Sequence, residues 1–111
     1  MAYDEDLANR VREQLADQEG VAEKQMFGGL AFLLDGNMAV GLSRGGELMV
    51  RLGPDGTDEA LERPHTRLFD MSGRPMRGWV LVATEGLRTT RQLSAWVRRG
   101  VAFARTLPPK R

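Results

Sequence analysis

The sequence predicts an α+β domain built as a five-stranded antiparallel sheet with helices packed on it, in the order α-β-β-β-α-β-β-α. Three observations carry that expectation. First, apolar residues fall on alternate positions in three successive segments: Met26, Leu30, Phe32 and Leu34, then Met38, Val40 and Leu42, then Leu48, Val50 and Leu52. A period of two places each set on one face of a pleated strand. Second, the segments are separated by Asp35-Gly36-Asn37 and by Ser43-Arg44-Gly45-Gly46. Asp-Gly favours a tight hairpin because both central residues of a type I′ turn need positive φ. Third, apolar residues recur at three- and four-residue steps at both ends of the chain, as amphipathic helices require. A meander with one apolar face needs cover, and the flanking helices supply it.

Taken in order, residues 4–18 read as the first helix, with Leu7, Val11 and Leu15 in one stripe beside Ala8 and Ala16. Asp4, Glu5 and Asp6 crowd its first turn, where negative charge meets the positive end of the helix dipole. Gly20 is placed to end it in a left-handed cap. Residues 24–34 then run extended, interrupted by Gly28-Gly29. Paired glycines suggest a bulge, a bend or a close backbone approach. They could also admit a phosphate, but no helix start, lysine or serine follows as a phosphate loop requires.

After the meander, Thr57 or Asp55 is placed to cap a short helix ending near Glu62, and Arg63-Pro64 stops it because the residue before proline avoids helical geometry. Residues 66–71 form a strand, Ser72-Gly73-Arg74-Pro75 a turn, and GWVLV at 78–82 an interior strand, being apolar on both faces. Residues 87–107 form the longest helix on Leu93, Trp96, Val97, Gly100, Val101 and Ala104, stopped by Pro108-Pro109. One domain over residues 1–107 and a basic tail over 108–111 follow.

Composition narrows the function classes. The absence of cysteine excludes disulfides, thiolate metal sites and cysteine nucleophiles. The acidic N-terminus is no signal peptide, and no apolar run approaches the roughly 20 residues of a membrane helix, so a cytoplasmic protein with no membrane partner is expected. The net charge of +1 hides a division: residues 1–62 sum to −8 and residues 63–111 to +9. Such asymmetry marks either a polyanion-binding surface or two halves that neutralise each other in the fold.

No catalytic constellation shows, and no metal or cofactor is expected. His65 is the only histidine and cannot build a metal site alone. No Ser or Thr stands in a nucleophile elbow. Asp70 and Glu85 read as partners for nearby arginines. The candidate binding residues are Arg74, Arg77 and Trp79, around a turn fixed by Pro75 and two glycines, together with Arg98, Arg99 and Arg105 on the last helix. Guanidinium forks suit phosphate or carboxylate, and Trp79 could stack on a ligand. Alternatively, Arg77 pairs with Asp70 across the turn and Trp79 belongs to the core.

Met26-Phe27-Gly28-Gly29, Asp35-Gly36-Asn37-Met38, residues 47–51 and Arg74-Pro75-Met76-Arg77-Gly78, continuing from Trp96 to Pro109, resemble the N-terminal domain of the TfoX/Sxy competence regulators. The resemblance covers nearly the whole chain and implies a secretion-chaperone-like α+β fold. It is to stand-alone versions of the domain, which lack the regulators' helical C-terminal domain. No catalytic residues are known for the family, so none carry over. The expected function is therefore a non-enzymatic interaction module that binds a protein. The alternatives are nucleic-acid binding through the basic C-terminal half and a small-molecule site, and a homodimer is compatible with all three.

Overall fold

A computed structural model describes residues 3–26, 28–71 and 73–110. The chain runs α1 (Glu5–Gln14), β1 (Val21–Met26), β2 (Gly29–Leu34), β3 (Asn37–Leu42), β4 (Leu48–Arg51), α2 (Pro54–Leu61), β5 (Thr66–Met71), β6 (Arg74–Val82), a 3-10 turn (Thr84–Gly86) and α3 (Thr90–Ala104). All six strands form one antiparallel sheet in the order β1-β2-β3-β4-β6-β5.

The sheet therefore has six strands where five were expected. The paired glycines are a hairpin and not a bend: Met26 pairs with Gly29 and Val21 with Leu34, so β1 folds back along β2. Gly28 adopts positive φ, and a Cβ on Gly29 would run into the carbonyl oxygen of Leu42 on β3. β1 was missed because its sequence, VAEKQM, is exposed along nearly all its length and carries no alternation. Phe27 in this segment, Ser72 in the expected turn and Arg111 in the expected tail lie outside the described residues.

The Asp35-Gly36 hairpin forms as expected, with φ of 50° and 85° at its two central residues. Other local expectations shift. α1 ends at Gln14 with Leu15 as its C-cap, so Gly20 is not its cap; at the opposite end Asp4 is the N-cap, accepting from the amides of Asp6 and Leu7. Gly53 occupies the α2 N-cap, and neither Thr57 nor Asp55 caps it. Thr57 is fully buried: its hydroxyl donates to the Gly53 carbonyl at 2.9 Å and accepts from the Gly78 amide at 2.9 Å, joining α2 to β6. β6 begins at Arg74, which shortens the expected 72–75 turn. α3 starts at Thr90 behind a capping box of Thr89 and Gln92. Pro108 and Lys110 are tied back to the β2–β3 turn, through Asn37 Nδ2 to the Pro108 carbonyl and the Lys110 amide to the Asp35 carbonyl.

The three helices cover one face of the sheet, α3 across β3 and β4, α2 against β5 and β6, and α1 against α3. Leu30, Phe32, Val40, Leu42, Leu48, Val50, Val80 and Val82 meet Leu7, Val11, Leu93, Trp96 and Val97 in one dry core. At about 1.5–3 kcal/mol per large side chain, burial on this face is the main driving force for the fold. A register shift between Phe32 and Leu33 inserts Ala39 as an extra residue in β3. Ala39 joins Leu34 and Ala104 in a small satellite of the core, and Met38 emerges on the opposite face from Val40. The expectation that Met38, Val40 and Leu42 share a face is corrected by that bulge.

Candidate functional site: the open face of the sheet

Strand alternation gives every inward residue an outward neighbour. Gly41 pairs with Met49, Met49 with Leu81 and Arg51 with Trp79, each next to an inward pair such as Val40 with Val50. These outward residues lie on the face that carries no helix. Gly41 leaves its floor bare: a Cβ there would meet the methyl of Met38 at 2.5 Å and that of Met49 at 3.0 Å. Phe69 faces an irregular stretch of β6, where residues 76–79 stand against it alone between the pairs Leu68–Val80 and Asp70–Pro75, and its ring lies 6.4 Å from that of Trp79, tilted by 51°.

A groove of about 540 Å³ results, lined chiefly by Met26, Met38, Met49, Met76, Phe69 and Trp79, with Arg44 and Asp70 as its ionisable groups. Its volume falls in the range of roughly 300–1,000 Å³ typical of ligand sites. Four thioethers and two aromatic rings make a soft, polarizable surface that repacks at low cost. Asp70 is engaged, accepting the Gly73 amide at 2.9 Å, so it stabilises the β5–β6 turn and does not pair with Arg77 as one expectation had it. Among the described residues, no group of His, Cys, Asp and Glu is arranged to hold a metal ion.

The charge division of the sequence resolves largely within the fold. Among the described residues, five of the seven ion pairs join an acid from residues 1–62 to an arginine from residues 63–111. Glu47 pairs with Arg67 at 2.7 Å, Asp58 with Arg77 at 2.9 Å, Asp35 with Arg105 at 3.0 Å, and Glu59 with both Arg63 and Arg99 at 3.2 and 3.0 Å. Hydrogen bonds from Arg63, then Arg99, hold the Glu59 carboxyl below the usual carboxylate range. A bidentate contact from Arg12 does the same to Glu23. Glu85 is held low first by its own backbone amide.

The six residues picked out from the sequence are not gathered into one surface. Arg77 and Arg99 both reach α2, at Asp58 and Glu59. Arg105 is bound at the other end of α3, to Asp35, Gln18 and the Glu19 carbonyl. Arg98 is exposed beside residues of α1. Arg74 is exposed at the start of β6. Trp79 is the one that reaches the groove, and it is half-buried there, not part of the core; Arg51 stacks on it at 5.3 Å and on Phe103 at 5.5 Å.

Of the four methionines of the groove, Met26 and Met38 were expected on the inward face with Leu30 and Val40, and the structure turns them outward. An outward signal was present in the complementary phase of β4 and β6, with Met49 between Leu48 and Val50 and Trp79 and Leu81 alternating with Val80 and Val82. A strand apolar in both phases has two faces to bury.

Among the described residues, no helix is long and apolar enough to cross a membrane. No curated protein and no solved structure shows significant similarity to the chain. The family model described as the TfoX N-terminal domain matches residues 13–104, from the C-terminal end of α1 to the last residue of α3, and the chain therefore belongs to the TfoX N-terminal domain family.

Proposed function

We propose that this competence-regulator-like domain is a non-enzymatic protein-interaction module whose contact surface is the open face of the sheet. The observation that supports this reading is the groove of Met26, Met38, Met49, Met76, Phe69 and Trp79 on the face without helices. Methionine and aromatic side chains are enriched where proteins meet, and unbranched thioethers adapt to a partner's shape. The outward positions also favour a partner of negative charge. Lys24, Arg44, Arg51 and Arg67 stand on or beside this face against Glu47 and Asp70, and Asp70 is used by its own turn. The partner that fits is an apolar segment flanked by acidic residues. Nucleic-acid binding through the C-terminal arginines has less support, because five of them, Arg63, Arg67, Arg77, Arg99 and Arg105, already pair with acids of the same chain.

The test is affinity capture from native cytosol by the wild type and by Met49→Glu, with circular dichroism confirming that the variant folds. A partner retained by the wild type and at least tenfold depleted on M49E supports the reading. Equal capture by both, or no reproducible partner, counts against it.

A further inference from the structure

A second concavity, sharing no residue with the groove, is framed by the exit of α2, the 3-10 turn and the first turns of α3. It measures about 430 Å³ and is lined by Arg63, Pro64, His65, Gly86, Arg91, Gln92, Ala95, Trp96 and Arg99. Its polar lining consists of donors. Arg63 and Arg99 are oriented by the two oxygens of Glu59, which stands outside the lining. Arg99 stacks over Trp96 at 5.1 Å, and its Nη1 is buried with no hydrogen-bond partner among the described residues. Gln92 uses its Oε1 in the capping box, accepting the Thr89 amide, which leaves its NH₂ group to donate. Arg91 is exposed and forms no ion pair among the described residues. His65 holds a left-handed backbone, φ 67°, at the rim. Of the two acids adjacent in sequence to the lining, Glu85 is taken up by the Thr84 hydroxyl and its own backbone amide, and Glu62, exposed beside Arg63, stands outside the lining.

An orphaned guanidinium nitrogen is costly where it is buried, and arginine forks recognise tetrahedral and planar oxyanions by paired N–H donors. Arg63 and Arg99 share the single carboxylate of Glu59, so with Arg91 three guanidinium groups at the pocket meet one paired acid and an excess of positive charge remains. Its volume exceeds that of a bare oxyanion, and Pro64, Ala95 and Trp96 supply an apolar wall. We infer that this pocket binds a phosphate group carried on a small organic molecule. The inference is independent of the groove and of the proposed protein partner.

The test is an NMR titration of the full chain with inorganic phosphate, phenyl phosphate and benzoate, at constant ionic strength set by sodium chloride. Saturable shifts at the amides of residues 63–65, 86 and 91–92 and at the Trp96 indole are expected, with phenyl phosphate binding more tightly than inorganic phosphate. Arg91→Ala, at an exposed position, should weaken phenyl phosphate about tenfold, and Arg63→Gln should do likewise. Shifts that rise linearly without saturation, or an R91A protein that titrates as the wild type, would overturn the inference. Benzoate binding as tightly as phenyl phosphate would overturn the choice of phosphate. Duplex DNA shifting the same amides where phenyl phosphate does not would assign the surface to a polymer instead.

Discussion

Substituting Gly100 by alanine separates packing from helix propensity by the sign of its effect. Gly100 is buried in α3 where the helix lies on the β3 bulge, and a Cβ there would sit 2.5 Å from the Ala39 carbonyl oxygen and 2.8 Å from Val40 Cγ1. The oxygen belongs to the backbone of a central strand and cannot swing aside, so the helix must lift or the bulge must deform. Overpacking of this kind costs about 1–3 kcal/mol. The same substitution recovers about 0.5–1 kcal/mol of helix propensity. The net expectation is a loss of about 0–2.5 kcal/mol, a fall in Tm of up to roughly 10 °C for a domain of this size. Calorimetry and urea denaturation measure it, with Ala102→Gly on the exposed side of the same helix as the control that reports propensity alone. A G100A protein more stable than the wild type would refute the close seating of α3 on the bulge.

Further outcomes follow from other contacts. Thr57→Val keeps the shape but leaves the Gly78 amide without its acceptor in the interior, so urea denaturation should show a loss of about 1–3 kcal/mol, largely absent in Thr57→Ser. Glu59 and Glu23 have folded-state pKa values below their unfolded values, so their stabilisation is present above the unfolded value of about 4.3 and is lost as pH falls through the lower folded values. Tm should accordingly be nearly flat from neutral pH to about 5 and decline below roughly pH 4, less steeply in a Glu23→Gln, Glu59→Gln double variant. Asn37→Ala removes the tether on the Pro108 carbonyl, and hydrogen exchange at the Lys110 amide should accelerate while the amides of α3 stay protected.

Much of the fold was legible because burial imposes a period. Phe32, Val40 and Val50 announce the inward face of the meander, and Trp96 joins them in the core as the helical spacing implies. What the sequence concealed was irregular or two-sided. β1 carries VAEKQM, whose exposed side chains show no alternation, and the reversal at Gly28-Gly29 is compatible with a bend as readily as with a hairpin. Ala39 carries no mark of a bulge, although it moves Met38 from one face of the sheet to the other. Thr57 at the start of a helix looks like a cap until Gly78, 21 residues further along, proves to be its partner. The arginines drew attention as a group by composition, whereas their acids are distributed over α2, the β3–β4 connection and the β2–β3 turn, and only the tertiary fold shows the pairing. The groove was hidden for a different reason: Met49 and Trp79 occupy the phase opposite to the core pattern, while Met26, Met38 and Met76 share the phase of the core residues in the sequence and reach the groove only through the hairpin between Met26 and Gly29, the β3 bulge and the irregularity of β6.

Photo-crosslinking tests the central claim most directly. A benzophenone side chain placed in turn at Met38, Met49 and Met76, and at Ala102 and Arg98 on the exposed helical side, would be irradiated in native cytosol. The account predicts one recurrent protein adduct at the three methionine positions and little at the two helical ones. The same adduct forming at the helical positions, with none at Met38, Met49 or Met76, would contradict it.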